Sequence, residues 1–327
     1  MTRRPLSLFA LNASRAFGER VAAELEVALA PHEERDFEDG EHKARSLQDV
    51  CGHDAFVIHA LYGEPGQSAN DKLCRLLFFC GSLKDAGVER VTAVVPYLCY
   101  ARKDRRSKPR DPITTRYVAA MCEAAGIDRV ITLEVHNLAA FENAFRCPTM
   151  HLESAPLFAE HFCKLLGTTP TVVVSPDPGG AKRAEQLRER IEAITCREVG
   201  SAYVEKFRSS GVVTGGLLAG DVRGKAALIV DDLISTGGTL LRTARSARTA
   251  GAKRVLAFVT HGLFMTGATE VLVDPALDQV VISNAVPPFR LEPAQSKKLV
   301  ILPAAPLLAE AIRRLHEERS LTDLIVF

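Results

Sequence analysis

Short apolar runs recur along this chain, and most are followed by a longer stretch whose apolar positions fall three and four residues apart. The first pattern is that of a buried strand and the second that of an amphipathic helix. Their alternation predicts βαβ units around a parallel sheet. In a first half, SLFALN, DAFVIHAL, RVTAVVPYL and RVITLEVH are expected strands. SRAFGERVAAELEVAL, SANDKLCRLLFFCGSLKDAG and TTRYVAAMCEAAG are the expected helices, with Ser14 a candidate cap and glycines as stops. RDFEDGEHKAR is expected to be extended. From about residue 156 the pattern restarts with the helices PLFAEHFCKLL, AKRAEQLRERI and LLRTARSARTAG. Its strands are TVVVS, AYVEKF, AALIV, RVLAFVTHGLF, QVVISNAV and LVILPAA, and SSGVVTGGLLAG is expected to be a flexible glycine-rich stretch. The resulting expectation is an α/β protein of two domains, 1–155 and 156–327, each a mainly parallel sheet flanked by helices. VTAVVPYLCYARKD and TVVVSPDPGGAKRA echo one another as strands that break at Pro into a polar loop, which supports two similar halves. The terminal amphipathic helix, 305–317, is expected to pack back on the first domain.

Chemistry concentrates where predicted strands end. In AALIVDDLISTGGT an apolar run stops at Asp231 and Asp232, and a small hydroxyl-rich turn leads into a helix. Gly237 and Gly238 let the backbone approach an anion, Ser235, Thr236 and Thr239 offer hydroxyls, and a helix start offers free N–H groups. The paired acids suit sugar hydroxyls or Mg²⁺. An ordinary capped helix would explain the glycines but not the acid pair. SPDPGG places Asp177, Gly179 and Gly180 at another strand end, ahead of Lys182 and Arg183, as a loop for a pyrophosphate and its metal. Arg102 to Asp111 holds six basic and two acidic residues directly after a buried strand, a candidate polyphosphate clamp. Glu134 and His136 are expected to share one face of a strand end, where His136 is a candidate metal or phosphate contact. Lys206 and Arg208 open the glycine-rich stretch, where a closing loop could bring cations to charge developing on phosphate oxygens.

The totals narrow the field. With 41 Lys and Arg against 40 Asp and Glu, the net charge of +1 argues against a general nucleic-acid binder, and the chain has no Trp for base stacking. Its eight Cys show no C-x-x-C spacing and are expected to be reduced core thiols of a cytoplasmic protein. The apolar patch in MTRRPLSLFALNAS runs at once into polar SRAFGER, so no export signal is expected. The longest apolar stretch, VTAVVPYLCYA, falls short of the roughly 18 residues that span a bilayer, so no membrane partner is expected.

Taken together, these stretches resemble the ribose-phosphate pyrophosphokinases, which make phosphoribosyl pyrophosphate. The likeness runs through FEDGE (37–41), ND (70–71), PYLCYARKDRRSKPRDPI (96–113), AGIDRVITLEVH (125–136), VVSPDPGGAKRA (173–184), KFR (206–208), VDDLISTGGT (230–239), AGAKRVLAFVTHGLF (250–264) and APLLAEAIRRLHE (305–317). The resemblance implies two phosphoribosyltransferase-like domains with the active site between them, in homodimers or larger homo-oligomers. It implies that Phe37, Asp39 and Glu41, from a neighbouring subunit, contact the adenine and ribose of ATP, and that Arg102 and Lys103 contact its phosphates. His136 and Asp177 would hold Mg²⁺, Lys206 and Arg208 would stabilise the transition state, and Asp231, Asp232 and Ser235 to Thr239 would hold ribose 5-phosphate. Lys103 stands where the family usually has Gln, Glu134 where it usually has Asp, Phe207 where it usually has Arg, and Ser235 where an acid is usual. The segment after His136 is longer than usual and the lid shorter. Two alternatives use the same loop: a non-catalytic regulatory paralogue of the synthase, and a phosphoribosyltransferase, which would need neither FEDGE nor a second α/β half.

Overall fold

A computed structural model gives the fold and describes residues 4–209, 212–322 and 324–325; side chains from 205 to 216 lie outside the described set. The chain divides into two compact units, 1–153 together with 304–327, and 154–303.

Unit 1 contains β1 (Leu6–Ala10), α1 (Arg15–Leu25), β2 (His32–Asp36), β3 (His42–Ser46), β4 (Asp54–Ile58), α2 (Ala69–Asp85), β5 (Arg90–Val95), α3 (Thr114–Ala124), β6 (Arg129–Leu133), α4 (Leu138–Ala144) and β7 (Thr149–Leu152). Five of these strands form a parallel sheet in the order β1-β4-β5-β6-β7, so the chain steps across it in one direction. Every residue of β4 and β6 is buried, which is why these strands are continuous apolar runs rather than alternating ones. The stretch expected to be merely extended is an antiparallel hairpin, β2–β3, in which Asp36 pairs with His42. Its strands are polar at every position but Ala44, so no apolar alternation announced them.

Unit 2 contains α5 (Ala155–Leu166), β8 (Thr171–Ser175), α6 (Ala181–Thr195), β9 (Gly200–Ser209), β10 (Val212–Ala219), β11 (Ala226–Ile234), α7 (Gly238–Thr249), β12 (Arg254–Gly262), α8 (Thr269–Val273), β13 (Gln279–Ser283) and β14 (Leu299–Leu302). Its strand order is β10-β9-β8-β11-β12-β13-β14, parallel except for β10, which pairs antiparallel with β9. Successive residues face opposite cores. Val172, Val174, Ala227 and Ile229 pack with Leu240, Ala244 and Ala247 of α7. Val173, Leu228 and Val230 pack with Phe158 and Phe162 of α5 and Leu187 and Ile191 of α6. β10 replaces the expected flexible stretch, because its residues bond to β9 along most of their length.

The last helix, α9 (Ala305–His316), belongs to unit 1. Arg313 Nη2 donates to the Glu24 carbonyl at the end of α1 at 2.7 Å, and His316 Nδ1 lies 3.0 Å from Asp54 Oδ2. Asp54 is fully buried at the start of β4 and takes a fork from Arg90 at 2.8 and 2.6 Å, with Arg129 Nη2 at 3.5 Å. This one carboxylate therefore joins β4, β5, β6 and the chain's last helix.

Other sequence expectations need correction. Ser14 precedes α1 but makes no capping bond; its Oγ turns inward to His59 Nδ1 at 3.1 Å and accepts from Ala60 N at 3.0 Å. β6 stops at Leu133, so Glu134 and His136 do not share a strand face. The eight cysteines are all free, yet Cys51, Cys74 and Cys196 are exposed rather than in the core. Among the described residues no helix is long and apolar enough to cross a membrane.

Burial alone would raise the Asp54 carboxyl, but the bonds from Arg90 and His316 outweigh it and hold the group below its ordinary value. Its stabilisation is therefore present above the unfolded carboxylate value of about 4 and is lost as pH falls through the lowered one. Asp54→Ala leaves Arg129 buried without its counter-charge and is expected to cost about 3–5 kcal/mol. Denaturant unfolding across the acid range should show both that loss at neutral pH and a flatter acid limb.

Candidate active site

The crossover after β8 runs to one side of it, to β9, while the crossover after β11 runs to the other, to β12. The carboxyl ends of β8 and β11 are thus neighbours whose outgoing chains diverge. That leaves an open crevice, the place where open α/β sheets bind ligands. Three of the stretches singled out from sequence meet at this edge of unit 2.

The first is the acid pair. β11 does not stop at Asp231 but runs through both acids to Ile234, pairing with β12 over most of that length. Asp232 is buried and Asp231 half-buried, and the Asp231 carboxylate accepts the backbone N–H of Asp232 at 2.9 Å. Arg183 Nη1, from the first turn of α6, stands 4.0 Å from Asp231 Oδ1 and 3.9 Å from Asp232 Oδ1. Burial and the neighbouring Asp232 charge raise the Asp231 carboxyl, and Arg183 only partly offsets them. The pair presents clustered acid oxygens, the acceptors that sugar hydroxyls or a hard cation require. In the sequence Arg183 is only a basic residue after a glycine loop. Its approach to the acids depends on β8 lying beside β11, which local pattern does not encode.

The second is the turn Ser235-Thr236-Gly237 and the start of α7. Gly237 adopts φ +78°, and a Cβ there would stand 2.2 Å from Val271 Cγ2. Only glycine satisfies both constraints. No side chain caps α7, so the N–H groups of its first turn, which have no acceptors within the helix, face outward with the helix's positive end. Ser235, Gly238 and Thr239 are half-buried and Thr236 exposed around them.

The third is the β8 loop. Ser175 Oγ donates to the Asp177 carbonyl at 2.6 Å, and Asp177 Oδ1 accepts Gly180 N at 3.2 Å, which closes a short 3₁₀ turn before α6. A Cβ on Gly180 would fall 2.9 Å from Ser175 Oγ, while Gly179 is exposed. On the other side of β8, Ser175 pairs with Tyr203 of β9, and that strand continues past Lys206 and Arg208. The side chains of Lys206 and Arg208 lie outside the described residues.

The remaining expected residues are in unit 1. Phe37, Asp39 and Glu41 form the exposed tip of the β2–β3 hairpin: Phe37 N donates to the Glu41 carbonyl at 2.8 Å, and Glu41 N to Asp39 Oδ1 at 3.1 Å. Arg102 and Lys103 are exposed in the loop after β5, which is tied down by Thr115 Oγ1 donating to the carbonyls of Tyr100 and Lys103 at 2.9 and 3.2 Å. His136 is exposed just before α4, an element absent from the sequence reading, and Asn137 caps that helix while its amide reaches Asp104 at 2.7 Å. Among the described residues no three His, Cys, Asp or Glu converge as a metal cage. A hard cation shared with substrate phosphates needs only one or two carboxylates, and Asp177, Asp231 and Asp232 are donors of that kind.

An uncapped helix start, an acid pair and a second glycine loop thus meet at one switch point of an α/β sheet, the kind of place where α/β proteins bind anionic ligands. Residues 6–126 match the N-terminal domain of ribose phosphate pyrophosphokinase, and residues 215–326 match the phosphoribosyl synthetase-associated domain. A ribose-phosphate pyrophosphokinase of Hyphomonas neptunium is 35% identical over 320 residues, 98% of this chain and 99% of that protein. Ribose-phosphate pyrophosphokinase 1 of Streptococcus pyogenes is 34% identical over 328 residues, 99% of this chain and 98% of that protein. The crystal structure of phosphoribosylpyrophosphate synthetase from Mycobacterium smegmatis superposes with a TM-score of 0.86 at 32% identity, covering 96% of this chain and all of that one. The chain belongs to the ribose-phosphate pyrophosphokinase family and is an enzyme of that type, built of two phosphoribosyltransferase-like α/β domains.

Gly237→Ala is expected to destabilise unit 2 by about 1–3 kcal/mol, through left-handed strain and the clash with Val271. Gly238→Ala would meet only Arg242 Nη1 at 3.5 Å and should leave stability within about 1 kcal/mol of wild type. Thermal or denaturant unfolding of the two variants separates them.

Proposed function

We propose that the enzyme transfers diphosphate from ATP to the C1 hydroxyl of ribose 5-phosphate, giving phosphoribosyl pyrophosphate and AMP. The observation that carries this is the crevice of unit 2, where an acid pair, an uncapped helix start and a second glycine loop adjoin a strand bearing two cations. Asp231 and Asp232 accept the ribose hydroxyls, and Ser235, Thr236, Gly237, Gly238 and Thr239 with the first turn of α7 take the 5-phosphate. Asp177, Gly179 and Gly180 form the loop facing the diphosphate. Phe37, Asp39 and Glu41 hold the adenosine, and Arg102 and Lys103 its phosphates.

The anomeric oxygen attacks the β-phosphorus, the bond from that phosphorus to the α-phosphate bridging oxygen breaks, and AMP leaves with the electron pair. No covalent enzyme intermediate is required. Lys206 and Arg208 place positive charge against the equatorial oxygens and the leaving oxygen. The hydroxyl's proton passes to solvent or to a substrate oxygen. His136 and Asp177 are the proposed donors to Mg²⁺, which when bound neutralises phosphate charge. We place the enzyme in the cytoplasm, as a homo-oligomer, on its free cysteines and its family.

AMP release from ATP and Mg²⁺ should depend on added ribose 5-phosphate and fall about 10²–10³-fold or more in Lys206→Ala. A wild type that binds ATP yet forms no AMP under any condition would instead be a regulatory paralogue. Consumption of phosphoribosyl pyrophosphate with a nucleobase would indicate a phosphoribosyltransferase.

A further inference from the structure

The hairpin tip that carries Phe37, Asp39 and Glu41 is exposed at every position from 37 to 41, and Gly40 turns it with φ +90°. A two-stranded ribbon of this length is marginal by itself, so something outside it must set where the tip stands. The rung next to the tip, Asp36 opposite His42, is held on both sides by one face of α2. Arg75, 9% exposed, ion-pairs with the Asp36 carboxylate, and its Nη1 lies 3.7 Å from Glu34 Oε2 on the same strand. Phe78, three residues further along α2 and so on the same face, stacks on the His42 ring with centroids 5.5 Å apart and planes at 19°. Glu34 extends the chain of contacts: its Oε1 accepts from Asn12 N at 2.5 Å, just after β1, and lies 3.0 Å from His32 Nε2. The tip is thereby registered against both α2 and the end of β1, and Arg75 is the group common to Glu34 and Asp36.

We propose that Arg75 is a positioning residue for nucleotide binding: through Asp36 and Glu34 it sets the β2–β3 hairpin so that its tip meets the adenosine of ATP. This rests on the proposed role of Phe37, Asp39 and Glu41. Arg75 touches no substrate; its guanidinium fork bridges two carboxylates that a single ammonium cannot span equally well. Misplacing a binding group by an ångström weakens its hold on what it binds, and the adenosine lies at the far end of ATP from the phosphorus that is attacked.

Steady-state kinetics of the full-length enzyme test this. Arg75→Gln and Asp36→Asn should each raise KM for ATP roughly tenfold, with kcat and KM for ribose 5-phosphate within about twofold of wild type. The double variant should be no worse than the worse single one, because both remove the same contact. Arg75→Lys should fall between. The two single variants change charge in opposite senses, so a simple field effect on ATP would move KM in opposite directions. That result overturns the proposal. So does an unchanged KM for ATP in both single variants, or a parallel rise in KM for both substrates. Asp36 is 67% exposed at its side chain, so its substitution tests the contact even if Arg75→Gln unfolds. Phe37→Ala separates the two readings. If it leaves KM for ATP unchanged, the nucleotide role of the hairpin tip fails, and Arg75's role with it. If it raises KM for ATP while Arg75→Gln and Asp36→Asn do not, only the positioning role fails.

Discussion

Two carboxylates held side by side at the end of a buried strand repel one another, and unit 2 is arranged around keeping them there. Asp231 and Asp232 stay in place because β11 continues to Ile234, fixing their backbone between neighbours, and because Arg183 approaches both from α6. The arrangement costs the free protein stability. An acid whose proton is held more tightly in the folded state loses stability as pH rises from the ordinary carboxylate range toward the raised value. A ligand that supplies hydroxyl donors or a cation recovers that cost, so the strain favours occupancy.

Unit 1 solves a different problem. Its sheet has no switch point, so its candidate nucleotide contacts stand on a hairpin tip and a loop rather than in a strand-end crevice. The loop is held by the buried Leu98 and Cys99 and by Thr115, while the hairpin, with few apolar anchors, is placed by ion pairs and the Phe78–His42 stack. Arg75 sets the hairpin against α2, while Asp54 binds three strands and α9 into one network. Both carboxylate networks join segments far apart in sequence. Asp54 and His316 are drawn from nearly opposite ends of the chain, and neither would be noticed as a pair in a linear reading.

The parallel strands and most helices were legible because burial on both faces demands continuous apolar runs, and amphipathic helices repeat at their own period. The same rule explains the misses. β2 and β3 are polar at every position but Ala44, β10 is rich in glycine, and α4 and α8 are short. Ser14 has the residue type of a helix cap, but tertiary packing gave its hydroxyl to His59 and Ala60 instead. At the candidate site the glycines, hydroxyls and acids of 231–239 were readable as chemistry, since anion and hydroxyl binding require those residue types in that order. Arg183's place over the acid pair was not readable.

By itself, the sequence determined the α/β class and the kinship with ribose-phosphate pyrophosphokinases, and it marked the candidate phosphate loops, because each rests on residue types at short spacing. Only the tertiary structure decided that Gly237 must be glycine against Val271, that Arg183 meets both acids, and that Arg75 governs the hairpin. Those facts depend on which strand lies beside which and which helix face meets which ribbon. Sheet order and packing are properties of the whole chain's burial, and no local stretch carries them.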